Sequence, residues 1–135
     1  MSDHTVAHGT FVIERAYPHA PEKVWAAWAD PTQKAKWFGA PDGGMPAEMF
    51  DFKPGGRESR HGTIPNGPTF AFDVTYQDIV PLSRILYNYD MHMDGRKISV
   101  SLAAVEFFAE KAGTRLRLTD NELMDQLGAF LDGKR

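Results

Sequence analysis

The sequence contains no cysteine, which excludes a disulfide framework, a thiolate nucleophile and a zinc–thiolate centre. It has no basic excess: 15 Lys and Arg face 18 Asp and Glu, giving net charge −3 and a pI near 5.9. Without a basic stripe to neutralise phosphates, nucleic acid is not expected as a partner. No apolar run approaches the roughly 20 residues of a membrane span. The opening MSDHTVAHGT is polar and lacks the apolar stretch of a secretory signal. These absences point to a cytoplasmic protein without a membrane partner. G-x-S-x-G, H-E-x-x-H, a phosphate loop and G-x-G-x-x-G are missing too, and the histidines show no ligand spacing, so neither cofactor nor metal is implied. The rest is ordinary globular composition, 42% hydrophobic and 24% charged over 135 residues. That is enough for a single domain over residues 1–135 with its own core.

Tryptophan is scarce and clustered. All three, Trp25, Trp28 and Trp37, fall in the stretch APEKVWAAWADPTQKAKWFG from Ala20 to Gly39. Pro21 suits the first position of a helix, and Val24, Trp25 and Trp28 share one face of it. Asp30-Pro31-Thr32-Gln33 ends that helix and starts a second, with Asp30 as cap and Gln33 completing a capping box. Gly39 reads as the left-handed residue that stops it. Two short helices in a V therefore put aromatic bulk on one side. Trp25 and Trp28 read as core; Trp37 and Phe38 read either as core or as the mouth of a pocket.

Residues 1–9 read as a frayed tail, and Thr10–Tyr17 as a strand with Phe11, Ile13 and Tyr17 in one parity. After the helices, strand signals cover Ala47–Phe52, Arg57–Thr63, Thr69–Ile79, Arg84–Met93, Lys97–Phe108 and Thr114–Thr119. The punctuation is Pro54-Gly55-Gly56, Pro65-Asn66-Gly67-Pro68, Asp94-Gly95 and Lys111-Ala112-Gly113. Consecutive strands joined by hairpins predict an antiparallel meander with one apolar face, which another element must cover. At the C-terminus, Thr119-Asp120-Asn121-Glu122 reads as a capping box. Leu123, Met124, Leu127, Phe130 and Leu131 follow it at helical spacing. The expected fold is therefore α+β: a curved antiparallel sheet around a C-terminal helix over Asn121–Asp132, with two short helices after the first strand.

RAYPHAPEKVWAAWADPTQKAKWFG, FKPGGR, YNYDMHMDGRKISVSLAAVEF and GTRLRLT together resemble the START-like (SRPBCC) superfamily, within it the group related to the activator of the heat-shock-protein-90 ATPase. The resemblance covers Thr10 to Thr119. It implies a helix-grip fold with a hydrophobic cavity between sheet and helix, and an apolar or amphipathic small molecule as ligand. Some members process such molecules, as aromatase/cyclases do. A cyclase or hydratase-like enzyme on a polyketide-type substrate is therefore the alternative to simple binding, and a chaperone-interacting module the third reading. Relatives reach their last helix through a long loop containing GAFLDG. Here Gly128–Gly133 lies two residues from the end of the sequence. Either the chain stops before its helix or the loop is deleted; the capping box favours deletion. A twelve-residue helix would span only about 18 Å, which calls for an open cavity end or a homodimer exchanging that helix.

The inward parities nominate Phe70, Phe72, Tyr76, Tyr87, Tyr89 and Met91 as ligand-binding residues, with Trp25, Trp28 and Trp37 from the helices. Arg57, Arg60, His61, His92 and Glu106 are the polar candidates. Glu106 shares a parity with Val100, Leu102 and Ala104. If that parity faces inward, Glu106 is the acid/base of any chemistry; a bulge would instead turn it to solvent. His92 reads as surface, since alternation sends it away from Met91 and Met93.

Overall fold

The computed structural model describes residues 6–38, 47–63 and 66–125. In chain order the elements are β1 (Val6–Tyr17), α1 (Pro21–Ala29), α2 (Pro31–Lys34), β2 (Ala47–Phe50) and β3 (Arg57–Thr63). Then come β4 (Thr69–Val80), β5 (Arg84–Met93), β6 (Arg96–Glu110) and β7 (Gly113–Asp125). The strands form one antiparallel sheet in the order β1-β7-β6-β5-β4-β3-β2. From β2 to β7 it is the expected meander, and β1 closes it by pairing with β7.

The helices begin where proline puts them. Pro21 and Pro31 open α1 and α2, and Asp30 caps α2 by accepting from the backbone N–H of Thr32 at 2.8 Å and of Gln33 at 3.4 Å. The Gln33 side chain reaches back to the Asp30 carboxylate at 3.4 Å. Gly39 lies outside the described residues. Asp94 and Gly95 both take positive φ, 51° and 83°, as a two-residue hairpin turn requires.

Two expectations, one for β1 and one for β7, are corrected. Val6–Gly9 is strand, pairing with Glu122–Asp125, and not a frayed tail. Asn121–Asp125 belongs to β7 and is not the start of a helix; the remainder of the expected helix, residues 126–132, lies outside the described residues. The reason is tertiary. From Asn121 to Met124 the backbone is flanked by β1 on one side and β6 on the other, so helix there would forfeit two hydrogen-bonded ladders. That outweighs a local cap signal worth about 1 kcal/mol. With Asn121 in a strand, the twelve-residue helix that called for exchange between two subunits does not begin where it was placed.

One face of the sheet carries the core: Phe72, Val74 and Tyr76 of β4, Ile85 and Tyr87 of β5, Ala103, Val105 and Phe107 of β6, and Leu116 of β7. Trp25 closes it from α1, its ring 5.0 Å from Phe107 and 5.8 Å from Phe52. Each such fully buried side chain contributes roughly 1.5–3 kcal/mol.

The Pro54-Gly55-Gly56 turn is structural. Gly55 N–H donates to the Tyr76 carbonyl at 2.8 Å, and Tyr76 N–H donates to the Gly56 carbonyl at 2.9 Å. The turn thus docks beside the β4 bulge between Tyr76 and Asp78. A Cβ on Gly56 would lie 2.0 Å from the Asp51 carbonyl oxygen. Gly56→Ala is expected to cost more than about 1 kcal/mol, read as a lower urea midpoint with unchanged slope; an unchanged midpoint would refute this packing.

Candidate functional site

A cavity of about 420 Å³ lies between α1, α2 and the β1–β7 edge of the core face. This size falls within the range of small-molecule sites. Val24, Ala27 and Trp28 form its helical wall, Leu116 and Tyr17 its sheet wall, and Trp37 its outer lip, with His19, Lys23 and Gln33 as polar groups. Trp37 stacks edge-on to Trp28 at 4.9 Å and donates its indole N–H to the Ala27 carbonyl at 3.0 Å, although 44% exposed. Its indole is thus fixed by the helix that it borders.

The α2 side of the cavity is held by a buried charge cluster. Lys34 ends α2 and donates from Nζ to Glu58 Oε1 at 2.9 Å; Arg60 donates from Nε to the other carboxylate oxygen, and the Tyr76 hydroxyl donates to Oε1. All four side chains are buried, Arg60 completely. Aromatic rings surround the charges: Lys34 Nζ is 4.4 Å from the Phe38 centroid and 5.5 Å from those of Trp28 and Phe50. Burial pushes the Lys34 ammonium down to about 8, against the opposing pull of Glu58. For Glu58, burial pushes upward, but Lys34, the Tyr76 hydroxyl and Arg60 together hold it below the usual carboxylate value. The Tyr76 and Tyr87 phenols are pushed well above theirs, first by burial. The cluster fastens α2 to β3 and β4, and so places Gln33 and Trp37 at the cavity.

The other sequence-nominated residues are dispersed. Of the nine ligand-binding candidates, only Trp28 and Trp37 line this cavity. Phe72, Tyr76 and Tyr87 belong to the core beneath it, and Trp25 packs partly buried against that core. Tyr89 and Met91 pack partly buried against that core, and Phe70 is half-buried opposite Met93. Arg57 is exposed, and exposed His61 meets Glu48 at 2.6 Å. Glu106 is on the outer face with Val100 and Leu102, paired to Arg117 at 3.0 and 3.2 Å. The inward placement is corrected: the core face of β6 is the parity of Ser101, Ala103, Val105 and Phe107.

Two groupings escaped the sequence because they are assembled across strands. On the outer face Asp73 stands directly opposite Asp90. With half-buried His92 they bring one ligand atom each within 4.8 Å of one another, the one set of three among the described residues that could hold a metal ion. Ser59 donates to Asp73 at 2.6 Å, and Lys97 pairs with Asp90 at 3.0 Å. On the core face Asp120, 4% exposed, accepts from the Tyr89 hydroxyl at 2.6 Å. Strand parity alone would have found Asp120, two residues beyond Leu118, had β7 been read to its true end.

No curated protein matches the chain. Among solved structures it is similar to an uncharacterised protein from Rhizobium leguminosarum, 35% identical, with 96% of this chain and 88% of that one covered at a TM-score of 0.79. The Mll3558 protein from Rhizobium loti is 34% identical over 97% of this chain and 93% of that one, at a TM-score of 0.80. The Ms6760 protein from Mycobacterium smegmatis, 22% identical, shares the fold at a TM-score of 0.72. Residues 18–129 match the family profile described as Activator of Hsp90 ATPase homolog 1-like protein. The seven-stranded sheet with its V of helices is the architecture of that START-type family, and the chain belongs to it.

Proposed function

We propose that the protein binds an apolar or aromatic small molecule at the core face of the sheet, entered through the cavity beside Trp28 and Trp37, as one domain and without chemistry of its own. The observation that carries this is the 420 Å³ cavity walled by Val24, Ala27, Trp28, Trp37 and Leu116. Such a wall offers dispersion and hydrophobic contact, with few polar groups to orient a ligand. Glu106 offers this cavity no acid or base, because its carboxylate is on the outer face beside Arg117. Titrating a panel of naphthalene derivatives and long-chain alcohols against intrinsic Trp emission tests the reading. Saturable quenching is expected. Trp37→Ala should weaken binding several-fold, since one aromatic contact is worth about 1 kcal/mol. No saturable response across the panel overturns the proposal.

A chaperone-docking role is the second reading, drawing on exposed Val12, Val100 and Leu102 of the outer face. Calorimetry with a purified Hsp90-class chaperone at tens of micromolar decides it: no heat of binding removes this reading.

A further inference from the structure

Asp120 is the anomaly of the core face. It sits in β7 opposite Ala103 and Phe11, in the same parity as Leu116 and Leu118. It is 4% exposed, and no ion pair to it occurs among the described residues. Its Oδ2 accepts from the Tyr89 hydroxyl, while its Oδ1 is shielded from solvent and has no hydrogen-bond partner among the described residues. A shielded carboxylate oxygen without a donor is costly. Sequence alternation would place an apolar residue here. Nearby, Phe11 and Ile13 are 44% and 38% exposed on the same face, so apolar surface for a ligand flanks the carboxylate. At about 3.3 Å per residue, Asp120 lies about 13 Å along β7 from Leu116 at the cavity.

We infer that Asp120, oriented by Tyr89, is the polar anchor of this face, its Oδ1 accepting a hydrogen bond from the head group of an elongated apolar ligand whose tail lies at Trp28 and Trp37. The inference rests on the cavity reading above and narrows its ligand class to molecules about 13 Å long that end in a hydrogen-bond donor. A hydroxyl and an ammonium share that chemistry; the ammonium would also neutralise the carboxylate.

The test is a matched set, dodecanol, dodecylamine and dodecyl methyl ether, titrated against intrinsic Trp emission. The ether keeps the tail and lacks the donor. With the wild-type protein the alcohol or the amine should bind roughly ten- to a hundredfold more tightly than the ether, as expected for a hydrogen bond to a charged group. An advantage confined to the amine identifies an ammonium head; one shown by both identifies any donor. Asp120→Leu should bring all three to the affinity of the ether. Asp120→Asn, nearly isosteric, should abolish the advantage of the amine while remaining folded by circular dichroism. If the ether binds the wild type as well as the other two, the anchor is wrong and the cavity reading stands. Binding by none of the three overturns both. An advantage that survives in both variants also overturns the anchor.

Discussion

Glu58→Ala is expected to destabilise the protein by about 3–5 kcal/mol, because it strands two buried cations. Lys34 and Arg60 are 3% and 0% exposed, and Glu58 is the carboxylate that both contact. The Tyr76 hydroxyl would lose its acceptor in the same step. Without the anion, Lys34 can shed its proton, but Arg60 cannot. The loss should appear first at the cavity, since the cluster is what fastens α2 to β3 and β4. Trp28 and Trp37 emission should therefore shift to the red in urea below the global midpoint. Replacing all three charged residues together, Glu58→Leu with Lys34→Met and Arg60→Met, should recover most of the stability, as apolar substitution of a whole buried charge cluster generally does. A loss below about 1 kcal/mol for Glu58→Ala would show that the cluster is solvated and not a clamp.

The same cluster predicts an unusual stability profile in alkali. Lys34 titrates near 8 in the folded protein and 10.5 when unfolded, so between those values the unfolded chain binds more protons. Stability therefore rises with pH across this window, by up to about 3 kcal/mol. Tyr76 and Tyr87 oppose it from above. Their phenols hold their protons in the fold well beyond the ordinary value of 10, so the unfolded chain releases protons first. Above pH 10 stability falls. The expected curve has a maximum between pH 9 and 10, where most proteins are already declining, read from urea unfolding at fixed ionic strength. On the acid side, Glu58 is held below its ordinary 4.5, so its contribution is fully present above that value and is lost as pH falls through the folded one. Lys34→Met should flatten the alkaline rise and leave the fall above pH 10 intact. A wild-type profile level from pH 7 to 10 would refute the burial of Lys34 as a charged group.

Local chemistry determined much of this protein by itself. Proline and aspartate placed both helices, since Pro21, Asp30 and Pro31 act within one turn of where they stand. Period-two alternation named the inner faces of β4 and β5, and the Asp94-Gly95 turn joined β5 to β6 as written. The family could be recognised from its spaced Trp, Asp-Pro and Pro-Gly-Gly-Arg signals. Tertiary structure decided what depends on partners distant in the chain. The Thr119–Glu122 segment has a helix cap's sequence and a strand's neighbours, and two ladders outweigh one cap. Alternation divided β6 into two faces but could not say which was inner; contact with Trp25 from α1 chose Phe107 over Glu106. A strand pattern does not distinguish a core from a cavity wall, so by itself it marks the tyrosines and Phe72 as pocket. The distinction was made by Trp25 and by Lys34, whose α1 and α2 seal one end of the sheet and leave the space beside Trp28, Trp37 and Leu116. Four side chains from three sequence-distant elements, α2, β3 and β4, make one buried charge cluster. Nothing in the spacing of Lys34, Glu58 and Tyr76 announces it, because the attraction between them exists only after the sheet has formed and excluded water.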